Sequence, residues 1–193
     1  MPPGESCDYT YVTGMLRAAI LLSLLLACLT ARAQAEPQQI AIAPPSSEVD
    51  FRAYRLGVIP LDGSFRQFSG WLSYDPDQRG RCEVRLAIDA ASLSVAEPAM
   101  RSIVAGPDFL DVARFPSLTY RGTCDGDRVS GALDMHGITG TFPLVLTWSP
   151  DTVDAEGRLV RAEWGMSALP VLAGRTIRIR VVIPLKMHPM TGK

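Results

Sequence analysis

The sequence predicts an all-β domain: an eight-stranded antiparallel barrel with a long, helix-containing excursion between two of its strands. Three observations predict it. Short runs after residue 46 alternate apolar and polar side chains with period two, the pattern of a strand with one buried face. Turn-forming residues separate these runs, and none of them extends into a long amphipathic helix. Finally, the stretch 88–122 leaves one strand-like run and returns as another only after residues 89–116, whereas ordinary hairpin loops take roughly 2–5 residues. Antiparallel strands with one apolar face either stack as two sheets or close on themselves, and closure removes exposed edges. The interior of an eight-stranded barrel is filled by side chains or holds one small ligand.

The strands follow in order. Val49, Phe51 and Ala53 alternate with Asp50, Arg52 and Tyr54. Gly70, Leu72 and Tyr74 alternate with Trp71 and Ser73, and DPDQRG at 75–80 makes a turn. Cys82, Val84, Leu86 and Ile88 form the next apolar face. The excursion follows, with a short helix expected at 98–104 that caps one mouth of the barrel and with Phe109 and Phe115 to be buried. Leu118, Tyr120 and Gly122 resume the strand pattern, DGD at 125–127 is a hairpin signal, and Val129, Gly131, Leu133 and Met135 form the returning strand. HGITG turns the chain into a strand at 142–148, SPDTVDAEG at 149–157 reads as a polar loop, 161–166 as a weaker strand, and Ile177, Ile179, Val181 and Ile183 as the last one.

The cysteines sharpen this arrangement. If the strands on either side of the excursion pair with Ile88 facing Leu118, Cys82 falls opposite Cys124. Directly opposed residues have Cα atoms about 4.5–5.5 Å apart, within disulfide reach. A Cys82–Cys124 disulfide is therefore expected, with two buried thiols as the alternative.

The 193 residues carry a formal charge of -1 and are 47% hydrophobic. Nucleic-acid binding usually shows a strong basic excess, which is absent. Residues 1–35 read as a signal peptide: Arg17 precedes the apolar run AAILLSLLLACL at 18–29, and two A-x-A sites follow. The run is shorter than the ~20 residues a membrane span needs. Glu5 and Asp8 suit a signal poorly, so Met15 is a candidate start. The expected location is the periplasm. LLAC at 25–28 supplies the alternative, a lipoprotein anchored at Cys28. Residues 36–46 read as a linker, 47–186 as the barrel domain and 187–193 as a tail.

Several passages resemble, in order, the YceI family of bacterial periplasmic lipid-binding proteins. SSEVDFRAYRLGV is similar to the family's opening strand and GSFRQFSGWLSYDP to its second. IDAASL followed by PDFLDVARFPSLTYRG resembles its most recognisable stretch, GALDMHGITGTFPLVL its central hairpin, and AEWGMSALPVLAGRTIRIRVVIPL its closing strands. The resemblance implies a lipocalin-like barrel with an apolar lumen, holding an isoprenoid such as a quinone or polyprenyl lipid, or a similar amphiphile. It also allows a membrane redox partner and a homodimer. The chain departs from the family at Ser46, where a His is common, and in SVAEPAMRSIVAG, which keeps only Arg101 as a base.

An isoprenoid tail needs a dry tunnel of aliphatic and aromatic groups with a few polar groups at its opening. The lumen candidates are Phe51, Leu72, Tyr74, Leu86, Phe109, Phe115, Tyr120, Leu133, Met135, Trp164 and Ile179. Alternation is equally satisfied if these residues simply fill the barrel. Gly70, Gly122 and Gly131, at inward positions, point to space inside or to bends. Arg101 and His136 are the polar candidates at the mouth, although His136 lies in a turn and suits a structural role there. No G-x-S-x-G, H-E-x-x-H, C-x-x-C or phosphate-loop motif occurs. The expectation is a binding protein with no enzymatic activity, no metal and no cofactor beyond a bound lipid or quinone. An envelope protein with a filled barrel is the alternative, and a lipid-modifying enzyme a more distant one.

Overall fold

Period-two burial persists along nearly every strand of the computed structural model, which describes residues 36–169 and 172–185. The expected signal segment, Met15, Cys28 and the tail 187–193 lie outside the described residues. Among the described residues the strands are β1 (Gln38–Ile42), β2 (Glu48–Arg55), β3 (Ile59–Phe65), β4 (Phe68–Tyr74), β5 (Cys82–Asp89), β6 (Leu93–Val95), β7 (Ser117–Asp125), β8 (Arg128–Met135), β9 (Ile138–Thr141), β10 (Leu144–Trp148), β11 (Thr152–Val160) and β12 (Thr176–Pro184), with one α-helix, α1 (Pro98–Ala105). All pairings between them are antiparallel.

The expected eight walls appear once the bent strands are joined. β3 runs into β4 through Arg66 and Gln67, and β5 runs into β6 through the 3-10 turn Ala90–Ser92. β4 pairs with β5, β3 pairs with β6, and β3 also pairs with β2. Between the pairs Phe68↔Ile88 and Phe65↔Leu93 one chain advances three residues and the other five. The 3-10 turn takes up the difference, with the Asp89 carboxylate accepting from Ala91 N at 2.9 Å. β9 and β10 likewise continue one wall along β8. The order β4-β5-β7-β8-β10-β11-β12-β2-β3 thus returns to its own starting strand and closes the barrel.

Besides β6, which lies within the expected excursion, and β9, which takes up part of the HGITG turn, four stretches differ from expectation, each for a local reason. Residues 38–42, read as linker, form β1 beside β4, where Ile42 is fully buried. Residues 59–65 form β3 although Pro60 and Gly63 look like breakers; Gly63 lies under the Phe51 ring, and a Cβ there would stand 2.3 Å from Phe51 Cζ. The polar stretch 149–157 mostly belongs to β11, whose inward Ala155 and Gly157 are too small to reveal the alternation. Phe142 and Leu144 occupy the space that a side chain at 157 would need. Residues 161–164, read as strand, form a 3-10 turn with Arg161 and Trp164 buried, a spacing of three and not two.

β5 and β7 pair with Ile88 opposite Leu118, the expected register. Cys82 and Cys124 meet with Cα atoms 4.8 Å apart and form a disulfide.

The middle of the lumen is packed. Leu72, Leu86, Tyr120, Val129, Leu144 and Val181 surround a residual void of only about 30 Å³. Gly131 and Gly122 do not open space there. A Cβ on Gly131 would lie 2.2 Å from the Tyr120 hydroxyl oxygen, and that hydroxyl donates to the Phe142 carbonyl at 3.0 Å. Burial raises the phenol pKa well above its ordinary value. Gly70 is bare because the Arg85 backbone passes against it. Gly131→Ala is accordingly expected to destabilise the protein by about 1–3 kcal/mol through overpacking against Tyr120, to be measured by urea denaturation.

Candidate functional site

Packing loosens toward the end of the barrel where β2, β3 and β12 face α1. α1 starts with Pro98, whose missing N–H is no loss at a helix N-terminus. Arg101 ties it down: its Nε donates to Leu93 O at 2.9 Å and its Nη2 to Ala91 O at 2.8 Å. Arg55 Nη1 reaches Glu97 Oε2, just before the helix, at 2.9 Å. The rest of the excursion folds back on α1 through Leu110 N to Val104 O at 3.0 Å and Val112 N to Ala105 O at 3.1 Å. It is a self-bonded structure laid across the opening.

The facing rim, residues 165–169 and 172–174, is organised by Arg161. Arg161 is only 4% exposed. Its Nε donates to Gly174 O at 2.9 Å, its Nη2 to Ala173 O at 3.3 Å and to Leu169 O at 3.5 Å, and its Nη1 to Met166 O. It also lies over the Phe109 ring at 5.7 Å. Burial lowers its pKa from the ordinary value, yet a guanidinium starts so high that it stays charged. A buried cation here supplies donors to the carbonyls of Met166, Ala173 and Gly174, and shares that of Leu169 with the backbone N–H groups of Leu172 and Ala173.

Between these parts lies an apolar mouth of about 370 Å³, lined by Phe51, Ala53, Leu61, Met100, Ile103, Val104, Phe109, Leu169, Leu172 and Ile177 among others. A second cavity of about 90 Å³ continues inward between Val49, Phe65, Ile88, Leu118, Leu133, Met135, Met166 and Ile179. Phe51, Val104, Phe109 and Ile177 line both, so they stand between mouth and lumen.

The candidate residues divide accordingly. Phe51 and Phe109 are at the junction, while Leu133, Met135 and Ile179 face the inner cavity. Leu72, Leu86 and Tyr120 lie deeper, around the smallest void. Tyr74 packs on Trp148 at 5.3 Å and donates to Gln38 Oε1 at 3.0 Å. Trp164 is buried edge-on to Phe142. Phe115 packs on His136 at 4.8 Å and against Gly137. Tyr74, Trp164 and Phe115, expected to line the lumen, line none of these three cavities.

Of the polar candidates, Arg101 spends its hydrogen bonds on backbone carbonyls. His136 and Gly137, with φ of 55° and 74°, make the tight turn between β8 and β9. Arg161, Ala53, Val104 and the apolar rim residues were not among the sequence candidates. Arg161 sat in a segment read as strand, and the rim residues lie in a turn and a loop where alternation gives no signal.

The YceI-like domain family matches residues 41–185. The chain belongs to this family. Among curated relatives, a UPF0312 protein of Vibrio parahaemolyticus is 27% identical over 124 residues, 64% of each chain, and one of Yersinia pestis is 31% identical over 96 residues, 47% of this chain and 50% of the relative. This YceI-like chain thus spans less than two thirds of those relatives' length. BcnA of Burkholderia cenocepacia has a similar fold, with a TM-score of 0.61 and 21% identity over 72% of this chain and 96% of that one. So has a polyisoprenoid binding domain from Saccharophagus degradans implicated in plant cell wall breakdown, with a TM-score of 0.54 and 17% identity over 76% and 97%.

Proposed function

We propose that this YceI-like protein is a periplasmic carrier that binds an isoprenoid, a quinone or polyprenyl lipid, without transforming it. One observation carries the reading: an apolar mouth continues into an apolar inner cavity through a wall of four shared side chains. The similar fold of a polyisoprenoid binding domain supports the ligand class. The apolar run at 18–29 with its A-x-A sites supports export, and the Cys82–Cys124 disulfide suits an oxidising compartment.

The mouth, at about 370 Å³, has the size of ordinary small-ligand sites, roughly 300–1,000 Å³. The inner cavity, at about 90 Å³, equals about three waters' share of liquid volume. A short prenyl segment therefore sits in the mouth, and a longer tail advances only when Phe51 and Phe109 change rotamer. Affinity comes from dehydrating the tail, about 25 cal/mol per Å².

Ala53→Trp tests the site. Ala53 faces the mouth from β2 and is only partly buried, so a larger side chain projects into free space. Displacing about 60 Å² of ligand contact weakens binding about tenfold. Titration with a short-chain quinone should show that loss with little change in thermal stability; equal binding by both proteins would count against the mouth as the site.

A further inference from the structure

We propose that the mouth of the barrel docks on an anionic phospholipid surface, with arginines of the β11–β12 wall on the lipid headgroups and the apolar rim in the interfacial layer. Single exposed apolar side chains are ordinary, but a contiguous apolar patch rimmed by polar groups marks an interaction surface. Among the described residues, ten large hydrophobic side chains are exposed, and seven of them gather at this one end. Val58 is 76% exposed, Leu56 56% and Leu172 51%, joined by Ile59, Ile103, Leu169 and Tyr54. They come from three separate pieces of chain, the β2–β3 turn, α1 and the loop before β12. Their convergence is thus a property of the fold.

Charge selects the partner. On the outer wall Arg158 lies directly opposite Arg178, and Arg178 directly opposite Arg52. Like charges in such positions destabilise a sheet. Arg52 is compensated by Asp62, and Arg180, farther along, by Asp154. No ion pair among the described residues involves Arg158, Arg178 or Arg175. These three arginines line a cavity of about 290 Å³ that has no carboxylate in its wall. Tyr54 and Gly174 border both this cavity and the apolar mouth, so cations and rim share an edge.

Arg175 precedes β12, and Arg158 and Arg178 lie two residues from the strand ends Val160 and Thr176. At about 3.3 Å per residue, all three are within roughly a Debye length of the rim. With a net charge of only -1, attraction to an anionic surface has to be local, and here it is. Exposed apolar tips backed by basic groups match the layering of a bilayer interface. Docking would place the opening on the membrane, so that an amphiphile enters or leaves without crossing water. The inference does not depend on the ligand being an isoprenoid.

The test uses the full chain and phosphatidylcholine vesicles, with or without roughly a third of phosphatidylglycerol to supply anionic headgroups. Sedimentation should show tighter binding to the anionic vesicles, weakened by high salt. R158Q/R175Q/R178Q should reduce it about 100-fold, the effect of three basic residues at an anionic surface, while leaving thermal stability unchanged or raised because a like-charge row is removed. V58D/L172D should reduce binding to both kinds of vesicle. Hydrogen exchange should slow at 55–59 and 172–175, more with anionic than with neutral vesicles, which separates rim docking from attachment through the N-terminal segment. Unchanged vesicle binding by the arginine triple variant, or no slowing at those two stretches, would overturn the proposal.

Discussion

Arg161→Ala is expected to lower the unfolding free energy by about 3–5 kcal/mol, and to abolish ligand binding at the mouth before the barrel itself unfolds. Among the described residues the guanidinium is the only side chain donating to the carbonyls of Met166, Leu169, Ala173 and Gly174, and of these Leu169 O alone also accepts from backbone N–H groups, those of Leu172 and Ala173. Hydrogen bonds to a charged group contribute about 1.5–3 kcal/mol each, and a buried carbonyl left without a donor adds its own penalty. Arg161→Lys rescues little, because one ammonium cannot span carbonyls arranged around a planar fork. Arg161→Met keeps much of the stem packing but none of the donors, so it should resemble alanine more than wild type. Urea denaturation gives the stability change. Hydrogen exchange localises it: residues 172–174 should lose protection in the variant while β5 and β7 keep theirs. Equal protection in both proteins would mean that the rim holds without its cation.

Removing the disulfide has an effect of similar size by a different route. Cys82 and Cys124 are 42 residues apart and enclose the whole excursion. In the chain-entropy description, opening a loop of that length frees the unfolded ensemble by about 4 kcal/mol. For a domain of this size that corresponds to a fall in melting temperature of roughly 8–16 °C. Cys82→Ala with Cys124→Ala should show it in a thermal scan, and reduction of the wild-type protein should reproduce most of it. Both cysteines pack against the core, so a small part of the loss is packing; Cys82→Val with Cys124→Ala would return that part only. A reduced protein that melts with the oxidised one would show that the strand register alone holds the excursion.

Legibility in the sequence followed the chemistry of each segment. Strands with bulky inward residues, such as Val84-Leu86-Ile88 and Leu118-Tyr120, announce both their face and their register, and the cysteines confirm the pairing. Strands whose inward residues are small do not: Gly157 in β11, next to the small inward Ala155, is bare because Phe142 and Leu144 fill the space a side chain there would need, a tertiary fact. β3 is hidden by Gly63 for the same reason, with Phe51 as the occupant. The inner half of the candidate site, Phe51, Leu133, Met135 and Ile179, is readable because it sits on alternating strands. The rim is not, since Leu56, Leu169 and Leu172 lie in irregular segments. The role of Arg161 depends on four carbonyls whose positions only the folded loop sets.

A lipid carried in the mouth and lumen would show in the mass of the protein taken from its own host cells. Native mass spectrometry, followed by organic extraction of the same sample, reports what the barrel holds. The expected result is an added mass matching a quinone or polyprenyl lipid, recovered in the extract and depleted in Ala53→Trp. A bare polypeptide mass, an empty extract and no uptake of added quinone would contradict it.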